Sequence, residues 1–278
     1  MKLSASTLVY YHYSLADAIR QIAKAGYEGV DVWGGRPQAY RRDLTQQEIH
    51  ELVALLKETG LHVASFIPAQ FRYPSILCSP NETIRLDSLA FIRESMETAA
   101  ALGAPLVSIC PGHTQHGQSV EDGLARLGDS LNTIAEDAGK HGLRIAIEPA
   151  DRYETDLLQT CSSTLKLVEQ LGHPNLGVVL DNGHAALVGE SAVTAVTELG
   201  ERLFHVHLDD NNGLRDQHLI PGDGKFDFPP FLAALQEAGY DGFLTVELSW
   251  DYSVDPDPAV RFSHERVHAL LEGLPGAG

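Results

Sequence analysis

Four residues of the right chemical kind stand at matching places in this chain. Glu148 lies at the end of the run RIAIEP, Asp181 closes LGVVLD, His207 sits near the end of FHVHLDD, and Glu247 lies at the end of FLTVEL. Each run is short and rich in β-formers, so each of the four residues stands where a buried strand reaches a surface. A carboxylate in that position is costly unless something pairs with it. Three carboxylates and an imidazole brought together would repel one another and be poorly solvated, and a divalent cation removes both difficulties. Carboxylate oxygens and an imidazole nitrogen suit Mn²⁺, Mg²⁺, Co²⁺ or Zn²⁺. Taken singly, a strand-end acid is more often a helix cap or a salt-bridge partner than a ligand; together, the four point to one divalent metal. Two more histidines accompany them. His184 follows Asp181 by three residues in what reads as a loop, open to a substrate contact, a second metal or a backbone hydrogen bond. His205 shares the strand parity of His207 one layer deeper and reads as a support for a ligand rather than a ligand itself.

The elements that must position these residues alternate along the chain. Eight β-rich runs are LSAST, GVDVWG, HVASFIP, PLVSIC, RIAIEP, LGVVLD, FHVHLD and FLTVEL, with segments of helical period between them. Leu15, Ala18, Ile19 and Ile22 share one helical face, as do Ile49, Leu52, Val53 and Leu56. Ser14 with Asp17, and Thr45 with Glu48, mark helix starts. Gly26, Gly60, Gly103, Gly142, Gly172, Gly200 and Gly239 fall where helices should stop. The fragment KAGYEGV at residues 24–30 recurs as EAGYDGF at 237–243, each joining a helix end to a strand start. Eight βα units without a linker predict a single (β/α)₈ TIM barrel over residues 1–278, with 270–278 as a loose C-terminal tail. A doubly wound open sheet would show a Gly-rich phosphate turn after the first strand, and none is present. In a (β/α)₈ barrel the chemistry gathers at the C-terminal ends of the strands, where the four residues stand.

Bulk properties bound the function. The chain has 278 residues, 44% of them hydrophobic and 21% charged, enough apolar material for a sizeable core. Twenty Lys and Arg against 38 Asp and Glu leave a net charge of −18, which repels nucleic acid and anionic membranes. Cys78, Cys110 and Cys161 are scattered and form no C-x-x-C pair, so a disulfide framework is not expected and a reducing compartment fits. The N-terminal stretch has no apolar signal core, and no run is long enough to span a membrane. A cytoplasmic protein is expected, with a small molecule rather than nucleic acid or membrane as its partner.

At these residues the chain resembles the xylose isomerase-like TIM-barrel superfamily of sugar isomerases and epimerases, over essentially its whole length. The segment IEPADRYETDLLQT, 147–160, is similar to that of the ketose 3-epimerases, in which a metal-binding Glu is followed six residues later by a substrate-binding Glu; here these are Glu148 and Glu154. Asp181 and His184 match the D-x-x-H of the D-tagatose and D-psicose 3-epimerase group, whose Asp is a metal ligand and whose His contacts the sugar. VDVWGGRPQAYRRDL at 30–44, DQHLIPGDGK at 216–225 and GYDGFLTVELSWDY at 239–252 resemble the fructoselysine 3-epimerase family, although His184 follows the simple ketose epimerases instead. Asp216 and His218 look like the D-x-H metal-ligand pair of the endonuclease IV branch, which leaves a second metal at that pair an open question. The upstream histidine ligands of that branch have no match, since Cys110 stands on the fourth strand where it has histidine.

The resemblance implies an epimerase acting at the carbon next to a ketose carbonyl through a metal-stabilised enediolate. Glu148 and Glu247 would be ligand and acid/base at once, and Asp181 and His207 ligands only. Glu154, His184, Arg215 and His218 would hold substrate hydroxyls. Trp33 and Phe66 would supply an apolar wall, with barrel core as the alternative reading. Arg36 would meet an anionic group on a larger substrate or else sit on a surface loop. Aldose–ketose isomerisation, or inosose isomerisation or dehydration, would use the same site, and a non-catalytic sugar-binding barrel is the reading from a different class. A homo-oligomer, dimer or tetramer, is the expected assembly.

Overall fold

The computed structural model describes residues 1–70 and 75–275. Eight parallel strands close into a barrel in sequence order: β1 Lys2–Ser6, β2 Gly29–Gly34, β3 His62–Pro68, β4 Leu106–Ile109, β5 Arg144–Ile147, β6 Leu176–Asp181, β7 Leu203–Leu208 and β8 Phe243–Val246. Helices α1 Leu15–Lys24, α2 Gln46–Thr59, α3 Glu82–Ala101, α4 Val120–Lys140 and α5 Cys161–Leu171 follow the first five strands. Two helices follow β6, α6 Asn182–Leu187 and α7 Ala192–Leu199; α8 Phe228–Glu237 and α9 Pro256–Glu272 complete the ring. The predicted barrel is the observed one. Among the described residues, no helix is long and apolar enough to cross a membrane.

Local chemistry sets the boundaries. Ser14 accepts the Asp17 N–H at the start of α1, and Thr45 with Glu48 forms a reciprocal capping box at the start of α2. The glycines expected at helix ends all have positive φ. The repeated G-Y-x-G joints lead into β2 and β8, the two strands that flank β1 where the barrel closes. There the Phe243 ring packs so closely over Gly29 that a Cβ on Gly29 would collide with it. Two expectations need correction. Val53 is 41% exposed, so the buried face of α2 is formed by Ile49, Leu52 and Leu56 alone. The tail begins later than expected, because α9 runs to Glu272 and its Leu270 and Leu271 pack on the core. Residues 276–278 lie outside the described residues.

The main core fills the space between strands and helices. The barrel interior differs from the bulky, branched filling usual for this fold. By strand alternation it carries polar side chains in its middle layer: Ser4, Asp31, Ser65, His205 and Thr245, all buried. Phe66 is fully buried, with its ring against Gly34, and belongs to the core; it is not a wall of the cavity. Phe66→Ala is expected to cost about 3–5 kcal/mol of unfolding free energy, the usual range for a buried phenylalanine. Urea denaturation of the two proteins checks this, and a loss below about 1 kcal/mol would contradict the assignment to the core.

Candidate active site

Four strand ends build a cluster at the C-terminal mouth. Asp181 is the last residue of β6 and is in register with His207 on β7, while Glu148 and Glu247 directly follow β5 and β8. His207 Nδ1 lies 2.6 Å from Glu148 Oε1, 3.2 Å from Glu247 Oε2 and 4.0 Å from Asp181 Oδ2. One donor atom from each of the four residues falls within 4.8 Å of all the others. Asp181 Oδ1 accepts the His184 N–H, which starts α6, but Asp181 Oδ2 is buried with no hydrogen-bond partner among the described residues. An orphaned carboxylate oxygen aimed at two further carboxylates and one imidazole nitrogen is the donor set a divalent cation needs, and the residues fit one.

The electrostatics show the strain of leaving this cluster to protons alone. Burial, with Asp209 nearby, pushes Asp181 well above the usual carboxylate range. Burial opposes the charged form of His207, but Glu148 and Glu247 outweigh it and drive the imidazole well above its ordinary value. Burial would also raise Glu247, yet His207 and His218 hold it below the usual range. The protons are drawn to the middle of the cluster, where a cation would otherwise sit.

Beneath the cluster lies Asp31 of β2. Its carboxylate lies 2.7 Å from His205 Nε2 and 3.3 Å from His207 Nε2, and accepts from Ser65 Oγ at 2.6 Å and Thr245 Oγ1 at 2.8 Å. Burial raises its pKa, but the two histidines win and hold it well below the usual range. His205 thus supports the cluster from below, as its strand parity suggested.

Above the cluster opens a cavity of about 690 Å³. Glu148 and Glu247 line it, with Glu154, His184, Arg215, His218 and Trp33. Asp181 and His207 are absent from its described lining and sit below its floor. His184 belongs to the first turn of α6 rather than to a loop. It is buried, its Nδ1 has no partner among the described residues, and its ring meets His218 edge-on at 5.7 Å. Burial lowers the His184 pKa, but Asp181, Asp216 and Glu154 raise it to about 9. Trp33 is 3% exposed, and its indole N–H, at the cavity wall, has no partner among the described residues. Arg36 is paired with Asp43 and stacked on Tyr40, and is not among the described lining residues. Its surface-loop reading therefore stands.

Arg215, Asp216 and His218 ride on the segment after β7. Asp210 clamps that segment: its side chain accepts N–H groups from Gly222, Gly224 and Phe226, and its backbone bridges to Leu219. His218 has a φ of 41°, a strained value for a residue with a side chain. Its Nδ1 is 2.7 Å from Asp209 Oδ2 and its Nε2 is 2.8 Å from Asp216 Oδ2. His184, Asp216 and His218 form a second group of closely spaced donor atoms. Asp209 and Asp31 are the residues that sequence reasoning passed over. Both carried a signal: Asp31 is a lone acid inside an apolar strand, and Asp209 continues the inward parity of His205 and His207. A Cβ on Gly183 would collide with the Asp209 carboxylate, so glycine is required where α6 crosses it.

This geometry agrees with comparison to known proteins. The xylose isomerase-like TIM-barrel family model matches residues 19–269, and the chain belongs to that family. Among its relatives is a fructoselysine 3-epimerase from Escherichia coli O157:H7, 28% identical over 271 residues, covering 98% of both chains. A ketose 3-epimerase from Arthrobacter globiformis is 31% identical over 135 residues, 49% of this chain and 45% of that one. Among solved structures, a D-tagatose 3-epimerase-like protein superposes with a TM-score of 0.82 at 27% identity, covering 98% of this chain and 97% of that one. The fructoselysine and ketose 3-epimerases among these are sugar epimerases, and the chain is an enzyme of that type.

Glu154 supplies a test of the cavity's electrostatics. Burial raises its pKa, His184 and His218 pull it down, Asp216 and Glu148 push it up, and the balance is about 7. Between its ordinary value of 4.5 and about 7, the folded chain holds a proton that the unfolded chain releases. The stability contribution of this group is therefore greatest at low pH and declines as pH rises through that window. In chelator-treated protein, Glu154→Gln should gain stability relative to wild type from about pH 5 to about pH 8. Urea titrations across that range measure the difference, and a flat difference would refute the raised value.

Proposed function

We propose that the chain is a divalent-metal-dependent epimerase of a ketose or ketose-like sugar, acting at the carbon beside the carbonyl. One observation carries this reading: of the four clustered residues, Glu148 and Glu247 also line the cavity, while Asp181 and His207 do not. Two carboxylates thus face both the cation site and the substrate. They stand on β5 and β8, three strands apart around the barrel, and so reach a bound sugar from different sides. When bound to Glu148, Asp181, His207 and Glu247, one Mn, Mg, Co or Zn ion would withdraw charge from the carbonyl and stabilise the anion left by proton loss. Glu148 or Glu247 removes the carbon-bound proton, and the other returns one to the opposite face. Glu154, His184, Arg215 and His218 hold hydroxyl groups, and Trp33 offers an apolar surface with an indole N–H that has no partner among the described residues.

The cavity chemistry favours an uncharged or cationic sugar over a phosphate ester. Glu154, Asp151 and Asp216 line it, and Arg215 is its one arginine or lysine among the described residues. Its volume exceeds what a single monosaccharide fills, so a sugar bearing a further substituent, such as the fructoselysine of one relative's name, belongs beside free ketoses as a substrate class. A higher kcat/KM for a ketose phosphate than for the free ketose would count against this preference.

Two experiments test the mechanism. Asp181→Ala should strip the metal and lower the thermal midpoint, since a bound ion stabilises the folded state by mass action. Elemental analysis showing full occupancy in that variant would remove Asp181 from the ligand set. In metal-loaded protein, Glu148→Gln and Glu247→Gln should each slow net epimerisation at least ~100-fold, the usual size of an acid/base contribution. NMR in D₂O follows epimerisation and solvent exchange of the substrate proton together. A metal-loaded variant that epimerises at near wild-type rate would send the search for a base to His184.

A further inference from the structure

We propose that Asp31 is a positioning residue for the reaction: its carboxylate, reaching across the barrel interior from β2, holds the Nε2–H of His207 and leaves the Nδ1 lone pair for the cation. The inference rests on the metal site proposed above. Asp31 and His207 stand three strands apart around a closed eight-stranded barrel, so their contact at 3.3 Å is made through the interior and not along the sheet. A carboxylate only accepts hydrogen bonds, so the imidazole nitrogen facing it must carry hydrogen. In a neutral ring the other nitrogen, Nδ1, then has only a lone pair. That lone pair faces oxygens of Glu148, Glu247 and Asp181, which are acceptors as well. Four acceptors facing one point are satisfied by a cation, and Asp31 sets the tautomer that completes them.

Asp31 is itself held rigidly. Oδ2 lies against His205, His207 and Ser65, and Oδ1 accepts from Thr245, whose hydroxyl also touches Ser4. Four strands besides β2 contribute: Ser4 comes from β1, Ser65 from β3, the histidines from β7 and Thr245 from β8. A fully buried carboxylate is an expensive way to fill a barrel layer that aliphatic side chains usually fill. Its donors aim it at the one face of His207 that does not look toward the cluster.

The test reads metal binding without sugar. Wild type, Asp31→Asn and Ser65→Ala are stripped with chelator and titrated with Mn²⁺ by calorimetry. Asparagine keeps the shape and removes the charge, whereas Ser65→Ala takes one donor from the same oxygen and leaves the His207 contact. Asp31→Asn should weaken Mn²⁺ binding by about 10–100-fold and Ser65→Ala by less than about 3-fold, with excess Mn²⁺ restoring activity to the former. Wild-type affinity in Asp31→Asn, or equal weakening in both variants, overturns the role. Wild type that binds no Mn²⁺ would instead sink the proposed metal site. Should Asp31→Asn not fold, ¹⁵N–¹H correlation of His207 in the Zn²⁺-loaded wild type decides the matter. Hydrogen on Nε2 and metal on Nδ1 is the expected assignment, and the reverse overturns the proposal.

Discussion

Three carboxylates converge on one imidazole in a place water barely reaches, and the rest of the mouth is arranged around that fact. Like charges at such separations cannot all be ionised in a low-dielectric site without compensation. With protons alone, the compensation is uneven: Asp181 is forced up, Glu247 is held down, and His207 is driven to its charged form. A cation would resolve all three at once. The same constraint reaches the layer below, where Asp31 requires a ring of donors, and the layer above, where Glu154 titrates near neutrality.

The barrel makes this convergence affordable to build. Each of the four residues sits at or just past the end of a strand, and strand register places Asp181 level with His207. The strands themselves are packed on their outer faces by the main core, so the inner face is free to carry polar groups. The price is confined to the interior, where serine, threonine and histidine take positions that aliphatic residues fill in most barrels.

Much of this was legible in the sequence, for a physical reason. Alternating period-2 and period-3.6 segments with capping residues specify βα units, and a closed barrel fixes where their ends go. Glu148, Asp181, His207 and Glu247 could therefore be grouped without coordinates. Val53 shows the limit of periodicity: it lies at the edge of a helical face, where a small rotation decides exposure. His184 was read as a loop residue because α6 is one short turn-and-a-half of helix, too brief for a periodic signal. Asp31 and Asp209 escaped notice because their partners lie across the barrel or on a distant loop. Strand alternation gives the direction of a side chain but not what it meets.

The clamp on the segment after β7 also bears on how the mouth of the barrel responds to change. Asp210 ties residues 222–226 and, through Leu219, closes residues 211–218 into a small loop with its own anchorage. The entropy of closing that loop is settled locally, away from the four clustered residues at the strand ends. Arg215, Asp216 and His218 are therefore carried on a loop that is anchored at both ends. His218 nevertheless reaches Asp209 and comes within 4.0 Å of Glu247, so a change in this loop is felt by the strand-end cluster beneath it.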